Sequence, residues 1–435
     1  MRRPTTRRTL LATLGAASTF SLAGCSGMIP TGPSGDSETT STPTGTPDGS
    51  GTEGDGSGSS SGPGGSVIDD FEGNVKDRWE VDAGKFTTDT ENAFQGGQSL
   101  VLQAKGKQGE GNATISRSFY SDSNDSSALD LSSHDLSLAV RFEKPKSGHI
   151  AISCHAPTES SSLTCRRFIP QELNGWTRFD LGYTGKQGQP DPSKVFTVQI
   201  SVMTDNGEPI KVGIDDLRKV PKASKGKVMF QFDDSVKSAY DTVFPMFNER
   251  DWQAGVAIIP DVIGSQGRLS TGNMREMADA GWDMMSHTST DKLPTQSKQD
   301  QKKAIEQSKQ QLKSIGFKTG SRHFVAPNGR VNRATLDIIR NNHKTNFMFG
   351  AGPGNAKQPT NMYTIPRVMG ASPDAVVDLL DLAEQFNQLV VVQYHGIGGD
   401  DKETTTAEFE QVVKHVEKKD MDVVSPSQFL DSIGN

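Results

Sequence analysis

The feature that most constrains this chain is a change of texture near residue 225. From Lys227 onward, short apolar runs alternate with helical stretches. Strand candidates are Lys227 to Phe232, Gly255 to Ile259, Trp282 to Ser286, His323 to Val325, Phe347 to Phe349, Leu389 to Tyr394 and Met421 to Val424. Between them lie helical stretches near 236–250, 272–280, 297–315, 331–341, 373–386 and 405–418. Repeated strand–helix units predict a mainly parallel sheet, open or closed into a barrel.

Residues 67–220 read differently. Runs such as Ser99-Leu100-Val101-Leu102 and Leu136-Ser137-Leu138-Ala139-Val140 alternate and are punctuated by Gly, Asn, Asp and Ser. No helical stripe interrupts them, which predicts an antiparallel β-sandwich. The acidic pairs Asp69-Asp70 and Asp215-Asp216 suit either turn capping or a structural Ca²⁺. Trp79, Phe119, Tyr120 and Tyr183 are aromatic rings that could stack on a sugar or belong to the core.

Before this, residues 26–66 are almost wholly Ser, Thr, Gly, Pro and acidic, with nothing to build a core from. Such a segment is expected to be a disordered tether. At the N-terminus, Thr6-Arg7-Arg8-Thr9-Leu10-Leu11 and a modest apolar stretch end in Leu22-Ala23-Gly24-Cys25. Residues 1–25 resemble a twin-arginine signal with a lipobox, which implies lipidation of Cys25, export, and anchoring to the outer face of the cytoplasmic membrane. The alternative is an ordinary amphipathic N-terminus with a chance cysteine. Two cysteines remain, Cys154 and Cys165, and in an oxidising compartment their spacing favours a disulfide. The net charge of −7 argues against a nucleic-acid partner.

The chemistry gathers at Phe230-Gln231-Phe232-Asp233-Asp234-Ser235. Two carboxylates at the C-terminal mouth of a parallel strand sit where α/β folds place their sites. An Asp-Asp cap before a helix accounts for the same residues. Downstream come Ser286-His287-Thr288-Ser289-Thr290-Asp291, Val325-Ala326-Pro327-Asn328-Gly329, and Leu389-Val390-Val391-Val392-Gln393-Tyr394-His395. In that order these resemble the motifs of the polysaccharide deacetylases of the NodB-homology kind. The resemblance covers 225–435 and implies a distorted (β/α) barrel. The opening Val67-Ile68-Asp69-Asp70-Phe71-Glu72 and closing Val212-Gly213-Ile214-Asp215-Asp216-Leu217 of the first domain resemble strands of carbohydrate-binding jelly rolls.

Three positions depart from the deacetylase pattern. Asp291 stands where a second metal-binding His is expected, Val325 replaces an Arg that orients the catalytic Asp, and Asn328 replaces a Tyr. By resemblance, Asp234, His287 and Asp291 would hold a divalent ion, Zn²⁺ first, with Mn²⁺ or Co²⁺ as alternatives. Asp233 would be the general base and His395 the general acid. The backbone N–H near Asn328 would stabilise an oxyanion, and Arg367 either replaces the missing Arg or pairs at the surface. The implied reaction is hydrolysis of N-acetyl or O-acetyl groups on a polysaccharide. The alternatives are an inactive surface glycan-binding protein and hydrolysis of a non-sugar amide.

Overall fold

The structure, a computed structural model, describes residues 64–106, 111–120, 128–145, 147–170, 173–204, 207–398 and 404–433. The signal-like segment, Cys25 and nearly all of the 26–66 segment lie outside the described residues. Among the described residues, no helix is long and apolar enough to cross a membrane.

The N-terminal half is built of strands β1 (Ser66–Asp69), β2 (Glu80–Ala83), β3 (Lys85–Asp89), β4 (Ser99–Ala104), β5 (Asn112–Ser118) and β6 (His134–Lys144). It continues with β7 (Gly148–Thr158), β8 (Ser161–Ile169), β9 (Thr177–Leu181), β10 (Tyr183–Gln187), β11 (Thr197–Met203) and β12 (Ile210–Pro221). They form two six-stranded antiparallel sheets, β3-β4-β12-β6-β9 with β1 on β12, and β10-β8-β7-β11-β5-β2. Alternation explains the shared core. Leu136, Leu138, Val140 and Phe142 of the first sheet face inward, as do Ile150, Ile152, Val198 and Ile200 of the second.

One expectation for this half needs correction, and two open alternatives are decided. Cys154 and Cys165 are free thiols, both buried. The β7–β8 register places Cys154 opposite Leu163 and Cys165 opposite Ile152, so the two are diagonal neighbours, farther apart than a disulfide spans. Burial pushes the Cys154 thiol up to about 12. The acidic pairs are engaged by protein donors, which leaves no Ca²⁺ cradle. Asp69 accepts from Arg78, Trp79 and the Phe71 N–H, and Asp216 accepts from Arg178 and Arg218. Trp79 and Tyr183 are core residues, 2 % and 1 % exposed.

The C-terminal half is a seven-stranded parallel barrel. Its staves are β13 (Gly226–Phe232), β14 (Gly255–Ile258), β15 (Asp283–Ser286), β16 (His323–Val325), β17 (Thr345–Phe349), β19 (Ile365–Met369) and β20 (Gln388–Tyr394). The β13–β20 pairing closes it, and β18 (Gly354–Asn355) and β21 (Met421–Val423) add flanking pairs. Helices α1 (Phe244–Asn248), α2 (Thr271–Asp279), α3 (Lys298–Ser314), α4 (Arg333–Asn342), α5 (Pro373–Phe386), α6 (Thr406–Val416) and α7 (Pro426–Ile433) complete the C-terminal half. Their starts are written in the sequence: Ser270, Asn332 and Thr405 each cap a helix through a reciprocal capping box.

Strand parity divides the barrel residues into two sets. Val228, Phe230, Phe232, Val390, Val392 and Tyr394 pack with apolar residues of the helices, including Phe247 and Phe409. Met229, Met285, Val325, Phe347, Ile365, Leu389 and Val391 form a separate inner cluster. Tyr394 thus belongs to the helix-facing core, 3 % exposed.

The two halves do not behave as beads on a string; the described residues belong to one compact unit. Asp135 of β6 accepts from Gln388 (2.7 Å) and Asn355 (2.9 Å), and Asp180 of β9 accepts from the Thr360 hydroxyl (2.7 Å). Arg167, fully buried, donates to the Thr364 carbonyl at 2.6 Å. Leu382 and Phe386 of α5 join the core of the antiparallel sheets.

Candidate active site

Parallel staves bring their C-terminal ends to one mouth, and the inner-facing parity continues one residue past each end. Met229, Gln231 and Asp233 alternate along β13. Met285 is followed two residues on by His287, Ile365 by Arg367, and Val391 by Gln393 and His395. The β13–β20 register sets Phe232 opposite Tyr394, so Asp233 and His395 leave neighbouring strands at one level. The Asp233 N–H donates to the Tyr394 carbonyl at 2.8 Å.

Asp233 is buried and faces Arg367, whose side chain is 1 % exposed. A single guanidinium nitrogen, Nη1, donates to both carboxylate oxygens, at 2.8 and 2.9 Å. The same nitrogen lies 3.4 Å from Gln231 Oε1. A buried carboxylate needs such a partner, because an unpaired charge in this position costs several kcal/mol, on the order of 3–5. Arg367 therefore lies inside, against Asp233, and not at the surface. It rides on β19, a strand absent from the sequence reading because Pro366 interrupts a short apolar run.

The next residue turns away. Asp234 has φ 63° and Ser235 φ 58°, two successive left-handed residues without a glycine. Long-range hydrogen bonds hold this turn. The Ser235 N–H donates to Ala257 O (3.1 Å), Ser235 Oγ accepts from the Ile259 N–H (2.9 Å), and Arg268 donates to the Asp234 carbonyl (2.7 Å). The turn leaves the Asp234 side chain 38 % exposed, with Oδ1 3.5 Å from His287 Nε2 and Oδ2 4.0 Å from His395 Nε2. The hydrogen bond from His287 holds the Asp234 carboxyl below its ordinary range, assisted by the charges of His287, His395 and Arg268 against desolvation.

His287 is buried and its ring is oriented. Nδ1 lies 2.8 Å from the Val325 carbonyl, which can only accept, so Nδ1 carries the proton. With Nδ1 protonated, Nε2 donates to Asp234 in the imidazolium, and in the neutral ring it offers the lone pair a metal ligand requires. Asp234 and His287 thus fit two positions around a divalent ion. The third expected ligand is not with them. Among the described residues, no three His, Cys, Asp or Glu side chains are gathered so as to hold a metal. Asp291 is exposed, and its loop is tied through the backbone: its carbonyl accepts from Asn328 Nδ2 at 3.3 Å.

Asn328 is itself left-handed, φ 52°, within the turn Pro327–Gly329. Gly329 follows at φ 63°, and a Cβ there would fall 2.5 Å from the backbone nitrogen of Phe349. The Gly329 N–H already donates to Ala326 O (2.8 Å) and the Arg330 N–H to Pro327 O (3.1 Å).

Comparison with known proteins places this barrel. Residues 221–347 match the family model described as polysaccharide deacetylase. Over these residues the chain is similar to a polysaccharide deacetylase domain. Members of that family are hydrolases acting on acetyl amide or ester bonds, and the family is metal-dependent. The chain is 28 % identical over 184 residues to YxkH of Bacillus subtilis (strain 168), a curated protein named for a polysaccharide deacetylase. That match covers 41 % of this chain and 64 % of YxkH, so the chain spans somewhat less than two thirds of that relative. Among solved structures, the Streptococcus pyogenes deacetylase PplD in complex with acetate is 25 % identical, with a TM-score of 0.31. That match covers 35 % of this chain and 69 % of PplD. The Xyl-CE4 domain of a multidomain xylanase from the hindgut metagenome of Trinervitermes trinervoides is 15 % identical, with a TM-score of 0.37. It is covered to 92 %, against 48 % of this chain.

Proposed function

We propose that this protein removes acetyl groups hydrolytically from an extracellular or cell-surface polysaccharide, N-acetyl groups first and O-acetyl esters second. The observation that carries the reading is the separation of two adjacent carboxylates into different surroundings at one barrel mouth. Asp233 is buried on Arg367, and Asp234 is open to His287 and His395.

In this reading Asp233 takes the proton from the attacking water. Arg367 balances its charge and fixes its orientation, standing in for the Arg absent at Val325. His395, 31 % exposed on the adjacent strand, delivers a proton to the departing amine or alcohol. The amides of Gly329 and Arg330 are already bonded, which narrows the oxyanion role to the Asn328 N–H. Asp234 and His287 would hold the divalent ion, Zn²⁺ before Mn²⁺ or Co²⁺, with Asp291 as the proposed third ligand. Such an ion, when bound, lowers the pKa of a bound water from ~16 to ~7 and polarises the acetyl carbonyl.

The reading extends to the rest of the chain. Residues 1–25 act as a twin-arginine signal, Cys25 carries the lipid, and residues 26–66 tether the folded part at the outer face of the cytoplasmic membrane. The two antiparallel sheets act as a jelly-roll module that holds the glycan. Acetate release from acetylated glycans by the full chain loaded with Zn²⁺ tests the activity, with Asp233→Asn as control. Release that disappears in the variant supports the reading. No release from any acetylated glycan, together with glycan binding indifferent to chelators, establishes the second reading, an inactive surface glycan-binding protein, which the ungathered third ligand favours. Elemental analysis of the wild type, Asp234→Ala and Asp291→Ala measures the metal separately. Loss of metal in both variants supports the three-ligand set, and metal retained in Asp291→Ala removes Asp291 from it.

A further inference from the structure

The outer face of the first antiparallel sheet carries a cleft of about 550 Å³, away from the barrel interior. Its walls include Asn92, Arg141, Glu143, Asn174 and Lys211. Arg141 on β6 lies opposite Gly213 on β12, and only a glycine there leaves room for Trp176 to lie on the sheet. A Cβ at 213 would come within 3.1 Å of the indole. The Arg141 guanidinium stacks over that indole at 5.1 Å, and Phe94 packs edge-on against it at 6.1 Å. Phe94 is 37 % exposed, among the few large apolar side chains so open to solvent. Two groups in this cluster, the Trp176 indole N–H and the Arg141 Nε–H, are buried without a protein partner.

The charges are balanced. Arg141 pairs with Asp89 (2.7 Å) and Glu143 (3.2 Å), and Lys211 pairs with Glu143 (2.5 Å). Two cations facing two carboxylates leave no net charge to attract an anion or a cation. What remains is an aromatic edge beside planar polar groups already held in fixed orientations. This combination suits a neutral ring whose hydroxyl groups radiate from its rim around an apolar C–H face.

The sheet that carries the cleft also packs on the barrel. Ser137, four residues from Arg141 on the same face of β6, reaches Thr360 of the barrel at 3.1 Å. Arg333, at the start of α4, donates to the Trp176 carbonyl at 3.2 Å. Only three residues separate Arg333 from Gly329, next to Asn328 of the site, and Asn332 among them donates to the Pro294 carbonyl of the Asp291 loop (2.6 Å). The Trp176 segment beside the cleft is thus hydrogen-bonded to the first turn of the helix that follows the Pro327–Gly329 turn.

We propose that this cleft, with the Trp176–Phe94 pair that adjoins Arg141 at its edge, is a second glycan site that binds neutral sugar residues of the polymer whose acetyl group reaches Asp233. That the polymer carries the acetyl group hydrolysed at Asp233 rests on the deacetylase reading; the binding of neutral sugar does not. The test uses the full chain carrying Asp233→Asn, titrated calorimetrically with neutral hexasaccharides of N-acetylglucosamine, glucose and xylose, and with a hexamer of galacturonic acid as the charged control. The cleft is expected to bind at least one neutral hexamer and not the uronic acid. Phe94→Ala, an exposed position, and Trp176→Ala are each expected to weaken that binding by about tenfold, with unchanged circular dichroism. In the active protein, Phe94→Ala is expected to raise KM for long polymer by about the same factor and leave kcat on an acetylated disaccharide unchanged. Binding indifferent to Phe94→Ala, or no binding of any neutral hexamer, overturns the proposal. Weakened binding in a protein that releases no acetate keeps the cleft and discards the deacetylase reading, so the two failures are separable.

Discussion

Two Asp-Asp dipeptides in this molecule follow buried apolar strand residues in the same way: Ile214-Asp215-Asp216 in the antiparallel sheets and Phe232-Asp233-Asp234 in the barrel. In both, the second aspartate is left-handed, with φ 47° and 63°. Their surroundings are opposite. Asp215 accepts from the backbone N–H groups of Phe94, Gln95 and Asp216, and Asp216 is buried between Arg178 and Arg218. Asp234 has its guanidinium, Arg268, on the carbonyl, while its carboxylate faces two imidazoles and solvent. Left-handed strain therefore does not mark the site in this protein. An open carboxylate with nitrogen ligands for neighbours does.

The largest expected effect separates the two regions by rate. Asp233→Asn keeps the shape of the side chain and removes the base, and is expected to lower kcat for acetate release by about 10²- to 10⁴-fold. Asp216→Asn is expected to lower the melting temperature and leave kcat unchanged. A comparable loss of kcat in Asp216→Asn would mean that the antiparallel sheets take part in the chemistry. Removing the arginines comes next. Arg367→Ala leaves Asp233 buried without its counter-ion and is expected to cost about 3–5 kcal/mol in urea unfolding. Arg178→Ala leaves Asp216 with Arg218 and is expected to cost less, about 1–3 kcal/mol. Equal costs would show that the second arginine gives Asp216 no protection.

The pH response sharpens the same contrast, since the signs differ. Burial pushes the Asp215 carboxyl up to about 6, against its three backbone donors. The folded state then holds a proton that the unfolded chain has released between pH ~4 and 6. The stability Asp215 confers is complete below ~4 and lost as the pH rises through about 6, at up to about 1.4 kcal/mol per pH unit. The Asp234 carboxyl is lowered, so its contribution is present above the ordinary carboxylate range and lost only as the pH falls below it. Unfolding from pH 4 to 7 is expected to show Asp215→Asn becoming steadily less destabilising relative to the wild type. A difference that stays constant across that range would mean that Asp215 is ionised throughout.

Much of the barrel is legible in the sequence, because parallel staves buried on both faces read as apolar runs and their helices carry capping boxes. His323–Val325 and 373–386 coincide with the observed elements. What escaped has a physical cause. β19 reads poorly because Pro366 and Arg367 sit inside it, yet Arg367 is buried only because Asp233, 134 positions earlier, awaits it. The ligand role expected of Asp291 followed from the family resemblance, whereas its loop is positioned by Asn328 and Asn332 across the mouth. The disulfide expectation failed on a register offset of two residues, which spacing in the chain does not encode. The two Asp-Asp pairs look alike in sequence because their partners, Arg178 and His287, lie 38 and 53 residues away.

The smallest expected effect gives the clearest sign. Glycine at a left-handed position relieves about 1–2 kcal/mol of strain and adds about 0.4–1 kcal/mol of freedom to the unfolded chain. Asp234→Gly gives up only the longer contacts to His287 and His395 and no guanidinium, so the balance is expected to be stabilising by about 0.5 kcal/mol, with acetate release abolished. Asp216→Gly gains the same backbone relief. It also strands Arg178, whose side chain is 5 % exposed, beside Phe94, and the lost pairing outweighs the relief. One substitution at two positions of like backbone is thus expected to shift urea midpoints in opposite directions. A midpoint that falls for Asp234→Gly as it does for Asp216→Gly would make Asp234 a structural residue. The strained turn would then belong to the fold and not to the chemistry.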